Sequence, residues 1–115
     1  MKTIIAGSRS FTNTEFGYEK LEHLFSKKEP TEIISGGARG ADYIGEQFAN
    51  DLHIPIKRFL PDWDKFGKLA GFRRNEQMAE YADSLVAFWD GKSKGTEHMI
   101  RIAREKGLKI RIVTF

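Results

Sequence analysis

Residues Glu32 to Asp42 read EIISGGARGAD: a short run of strand type breaks into three glycines within five residues, and helix-forming residues resume at once. A strand that runs through bare backbone directly into a helix is a β–turn–α unit. The same rhythm recurs on both sides of it. Thr3 to Ala6 (TIIA), Ile56 to Leu60 (IKRFL), Ser84 to Phe88 (SLVAF) and Lys109 to Val113 (KIRIV) have the short apolar character of strands. Four segments of helical period lie between the five strands. The first is introduced by Thr12 with Glu15 three residues on, a capping-box pattern, and aligns Tyr18, Leu21 and Phe25 on one face. The second aligns Ala41, Ile44, Phe48, Ala49 and Leu52 and stops before Pro55. The third is predicted over about Phe72 to Tyr81, with Met78, Ala79 and Ala82 inward. The fourth starts near Thr96, presents Met99, Ile100 and Ala103, and ends at Gly107. Regular alternation of this kind predicts an α/β fold whose five-stranded, mostly parallel sheet is covered by helices on both faces.

Composition bounds the rest. A chain of 115 residues that is 40% apolar is long enough for one hydrophobic core and too short for two, so residues 1–115 are expected to form a single domain. There is no cysteine, which excludes disulfides and thiolate metal sites. The opening MKTIIAGSRS is far shorter in apolar length than a signal-peptide core or a membrane span. A cytoplasmic protein without membrane contact is expected. The net charge of +3 is mild, and no basic stripe interleaves with aromatics on one element, so a small anionic ligand is expected rather than nucleic acid. The DWD of residues 62–64 is too short a carboxylate pair for a metal site. No metal and no cofactor is expected.

Ligands of open parallel sheets bind beyond the carboxyl ends of the strands, where strand order reverses. The segments predicted there are GSRS (7–10), GGARGAD (36–42), PDWDKFGKLAGFRRN (61–75) and WDGKSKGTE (89–97). Gly36, Gly37 and Gly40, with Ser35 and Ala38 beside them, let the backbone turn and approach a ligand, and the helix that follows offers unpaired N–H groups to an anion. Gly95 and Thr96, after Ser93, repeat the arrangement. Taken singly, either loop is equally well read as turn geometry alone; two on one edge favour phosphate. Arg9, after Gly7 and Ser8, joins Arg39 and Arg74 as a candidate charged clamp. Arg73, Arg74 and Asn75 open a helix at the end where the dipole disfavours cations, so a ligand or a carboxylate partner is expected. Asp42 is either a first-turn charge, a partner of Arg39 or a ligand contact. Trp63 is either core or a stacking surface for a base.

The segments IIAGSRSF, ISGGARGAD, PDW and GKLAGFRRNEQMAEYADSLVAFWDGKSKGT together resemble the YspA-type SLOG family, a branch of the Rossmann-like superfamily that includes the LOG phosphoribohydrolases and the DNA-processing protein DprA. The resemblance implies a Rossmann-like sheet and a nucleotide or nucleotide-derived ligand held between the SGGARG loop and the GT helix start. Superfamily relatives also suggest a homodimer. Against the LOG pattern, Arg74 falls on the arginine before MA, Asp83 on the following aspartate, and Gly95 and Thr96 on the GT. The loop before GT is two residues longer here, and Met99 stands where LOG enzymes have glutamate. A methionine can neither stabilise an oxocarbenium-like transition state nor activate water. Three readings follow: a nucleotide-binding module; a hydrolase of the N-glycosidic or phosphoester kind, with Asp62, Asp90 or Glu97 as acid or base; and a DprA-like nucleic-acid binder. The first is favoured.

Overall fold

The computed structural model describes all residues, Met1 to Phe115. Five strands form one sheet: β1 (Lys2–Gly7), β2 (Glu32–Ser35), β3 (Ile56–Arg58), β4 (Ser84–Trp89) and β5 (Lys109–Thr114), in the spatial order β3-β2-β1-β4-β5. Every pairing is parallel, so the sheet is wholly rather than mostly parallel. The chain winds outward from β1 toward β3, then crosses to the other side of β1 for β4. The reversal therefore falls between β1 and β4, which is where a doubly wound sheet opens its crevice.

Period-2 alternation along the strands divides the core in two. Ile5, Ile33, Val86 and Phe88 face helices α1 (Thr14–Leu24) and α2 (Ala41–Asp51), where Leu21, Ile44 and Phe48 meet them. Ile4, Ile34, Leu85 and Ala87 face α4 (Ala70–Tyr81) and α5 (Lys94–Glu105), and meet Met78, Met99 and Ile100. Phe11 stacks on Phe88 at 4.7 Å between ring centroids and is 1% exposed. Burial of each such side chain contributes about 2–3 kcal/mol.

Several boundaries differ from the sequence reading for local reasons. The N-cap of α1 is Asn13, whose Oδ1 accepts the Phe16 N–H at 3.1 Å, not Thr12. Asn is the stronger capping residue of the two. Leu52 is not on the buried face of α2; it is the C-cap, 43% exposed. β3 ends at Arg58, two residues early. Between β3 and α4 the chain makes a one-turn helix α3 (Trp63–Phe66), capped by Asp62, and a 3₁₀ turn (Gly67–Leu69). α4 then starts at Ala70 instead of Phe72, and α5 starts at Lys94 with Ser93 as N-cap instead of near Thr96. Gly107, expected after the C-cap of α5, has φ +76 and fills that role after Lys106.

Candidate functional site

A cleft of about 460 Å³ opens at the carboxyl edge of the sheet, over the β1/β4 reversal. Ser8 builds its floor. Its N–H donates to Phe88 O, its carbonyl accepts from Phe11 and Ala41, and its Oγ accepts the Asp90 N–H at 3.3 Å. One buried serine thus ties together the loops after β1 and β4 and the start of α2. Gly40 has to be bare for this approach: at its φ of +80, a Cβ would lie 2.5 Å from Ser8 O and 2.6 Å from Arg9 O.

Arg74 enters the cleft from α4. Its Nη1 donates to Gly36 O at 2.7 Å and its Nε to Asn75 Oδ1 at 3.1 Å, which leaves Nη2 without a partner in the protein. A Cβ on Gly36 would sit 2.5 Å from Arg74 Nη1, so this glycine makes room for the guanidinium. Burial pulls Arg74 below its ordinary pKa, and the nearby Asp42 opposes that. Asp42 is 6% exposed and lines the same cleft. Its Oδ2 accepts the Ala38 N–H at 3.2 Å, while Oδ1 makes no hydrogen bond within the protein and stays open to solvent. Burial raises its pKa to about 6, against the opposing pull of that N–H and of Arg74.

The other wall is the start of α5. Ser93 Oγ accepts the Thr96 N–H, and the N–H groups of Lys94 and Gly95 have no partner within the protein. A Cβ on Gly95 would meet nothing within 4 Å. Asn75 bridges α4 to this wall, donating to Gly95 O at 3.3 Å and lying 3.1 Å from His98 Nδ1. His98, which the sequence offered no reason to single out, is buried against Phe72 at 4.4 Å between ring centroids, and burial lowers its pKa.

The cleft gathers Gly7, Ser8, Arg9, Ala38, Asp42 and Trp63 with Arg74, Asn75, Asp90, Ser93, Gly95 and Thr96. Trp63 lines it while 56% exposed, and so is not core. Other expected residues lie outside. The N–H groups of Gly37, Ala38 and Ala41 are taken by Ser35 Oγ, Asp42 Oδ2 and Ser8 O, so much of the glycine loop closes on the protein itself. Ser35 is wholly buried and donates to Glu46, which also holds Arg58. Gly36, Gly37, Arg39 and Gly40 do not line the cleft, and Arg39 is exposed with no ion pair to Asp42. Arg73 turns outward to Glu76 at 3.4 Å. Among the carboxylates weighed as acid or base, Asp62 caps α3 and Glu97 is exposed beyond the cleft. Asp90 lines the cleft, but the Ser93 and Lys92 N–H groups both donate to its Oδ1 and hold it below the usual carboxylate range. Ala6, Ser10, Gly71, Phe72, Met78 and Met99 complete the lining; Ser10, Gly71 and Phe72 lie in segments expected at this edge, but which of their residues face the cleft follows only from the fold.

No helix is long and apolar enough to cross a membrane. In sequence, the chain is 31% identical over 116 residues to the Gene 61 protein of Mycobacterium phage D29, covering 95% of this chain and 93% of that one. It is 35% identical over 57 residues to a phosphoglycolate phosphatase of Haemophilus influenzae, a match to 48% of this chain and only 25% of that protein. In structure it resembles DNA processing protein A (DprA) of Streptococcus pneumoniae with a TM-score of 0.77 at 17% identity, covering 96% of this chain and about half (49%) of that one. Identity that low speaks for the fold alone. The model of the YspA, cpYpsA-related SLOG family matches residues 1–66, so the wholly parallel sheet and its cleft belong to a member of that family.

Proposed function

We propose that this cleft binds a nucleotide or nucleotide-derived ligand and that the domain acts as a binding module. The observation that carries the reading is Arg74. Its guanidinium is held by Gly36 O and Asn75 Oδ1, and Nη2 of this cleft-lining residue has no partner in the protein. The unpartnered Lys94 and Gly95 N–H groups stand across from it at the positive end of α5. Arg9, exposed on the rim without an ion pair, adds a second cation. Two guanidinium groups and a helix N-terminus around one opening suit a phosphate. Trp63 and Phe72 on the same lining offer rings for a base.

Turnover finds less support. Of the three carboxylates considered for hydrolysis, two lie off the cleft and Asp90 is committed to its own loop. Met99, 1% exposed, puts a thioether in the lining instead of a carboxylate.

Calorimetry of nucleoside monophosphates against their nucleosides tests the reading. Wild-type protein is expected to prefer the phosphorylated member. Arg74→Ala is expected to weaken it by about 1.5–3 kcal/mol while leaving nucleoside binding nearly unchanged. Absence of any preference for the phosphorylated compound would overturn the proposal.

A further inference from the structure

Asp42 is a difficulty for a cleft that takes an anion. A carboxylate beside a phosphate repels it, and a buried carboxylate is costly unless its oxygens are satisfied. Two structural explanations are available, and each falls short. As a first-turn acid of α2 it would interact favourably with the helix dipole, but such residues ordinarily sit at the surface, and Asp42 is 6% exposed. As a counter-ion of Arg74 it would close an ion pair, yet no nitrogen of Arg74 or Arg9 comes within 4.0 Å of it. One oxygen is used, by the Ala38 N–H; the other has no protein partner, is open to solvent and belongs to a residue lining the cleft. The charged groups acting on it are Arg74 of α4, Arg9 of the β1–α1 loop and Glu46 of its own helix. None of them donates a hydrogen bond to Oδ1.

We infer that Asp42 Oδ1 is the acceptor for a hydroxyl of the ligand, and that the cleft is therefore selective for a phosphorylated ribosyl compound with its sugar hydroxyls intact. This rests on the nucleotide reading above and adds the sugar to it. Phosphate lies toward Arg74 and the start of α5, and the sugar edge faces Asp42. In that arrangement the carboxylate meets a donor instead of an anion, and its second oxygen gains the partner the protein does not provide. Oδ1 is open to solvent in the empty cleft, and a ligand that covers it without offering a hydroxyl displaces water and leaves a desolvated charged acceptor unpaired, which is the costly side of the asymmetry.

The experiment is calorimetry with AMP, GMP, CMP and UMP and the 2′,3′-dideoxy form of each, on wild-type protein and on Asp42→Asn. Comparing two ligands with the same phosphate cancels the titration of the phosphate itself. Removing both hydroxyls is expected to weaken binding of the preferred nucleotide roughly 10- to 100-fold in wild type, and no more than about 3-fold in Asp42→Asn. Equal affinity for the ribose and dideoxy forms in wild type would overturn the sugar assignment and leave phosphate binding standing. An undiminished preference for ribose in a folded Asp42→Asn would do the same for the role of Asp42. If none of the eight compounds binds, the nucleotide reading fails and this one with it. The wild-type comparison needs no variant, so a failure of Asp42→Asn to fold does not shelter the proposal.

Discussion

Two loops of the same sheet edge carry nearly the same sequence signal, and the structure uses their glycines in opposite ways. The loop after β2, Gly36 to Gly40, is bare because protein groups need the space: the Arg74 guanidinium at Gly36, and the Ser8 and Arg9 carbonyls at Gly40. Three N–H groups in and just after it are already engaged. The loop after β4 is bare toward an open cleft, with nothing within 4 Å of a Cβ at Gly95 and two N–H groups unpaired. Glycine in a tight β–turn–α unit therefore marks close approach without saying who approaches. In the first loop it is the protein; in the second there is room for a ligand.

The sharpest way to break this comparison is Gly40→Ala. The methyl would collide with two backbone carbonyls at a φ that L residues avoid, so a loss of about 3 kcal/mol or more is expected in urea denaturation. A loss below about 1 kcal/mol would show that the loop after β2 is not packed as described.

The charge held by the same loop gives a comparable effect. Asp42 titrates near 6 in the folded protein against an ordinary 3.8, so the folded state keeps a proton that the unfolded chain releases. Stability from this group is complete below about pH 4 and is lost as pH rises through 6, by about 3 kcal/mol in all. Asp42→Asn lacks this titration. Wild-type stability measured relative to that variant is expected to fall by that amount between pH 4 and pH 7, and a flat difference would remove Asp42 from the buried charges.

Across the cleft the effects are smaller. Ser93→Ala removes the N-cap of α5 and should cost about 1 kcal/mol by thermal or chemical denaturation. Gly95→Ala should be the mildest change, with stability equal to wild type or up to about 0.5 kcal/mol higher, because its methyl meets open space at a helix start. A loss above 1 kcal/mol there would erase the contrast between the two loops.

Much of the fold was legible in the sequence. Five apolar runs alternating with helix-period segments determine a parallel α/β sheet, since strand period and helix period are local properties written residue by residue. The same alternation located the site at the carboxyl edge, and Arg9, Asp42, Trp63, Arg74, Ser93 and Thr96 do meet in one cleft there. Short-range chemistry is less legible: Asn13 rather than Thr12 caps α1, and the four residues of the one-turn α3 are too few to carry a helical period.

What tertiary structure alone decided is the direction of each side chain and the identity of each neighbour. Arg73 and Arg74 are adjacent in sequence, and about 100° of helix rotation sends one outward to Glu76 and the other onto Gly36, 38 residues earlier in the chain. Asp42 was ambiguous as a letter. Burial beside Arg74, one oxygen taken by Ala38 and the other left open follow only from docking α2 and α4 against the same strand end. Periodicity specifies which face of an element is apolar, but an unpaired polar atom in a cleft is defined by what stands across from it. That requires segments far apart in the chain to be in place together.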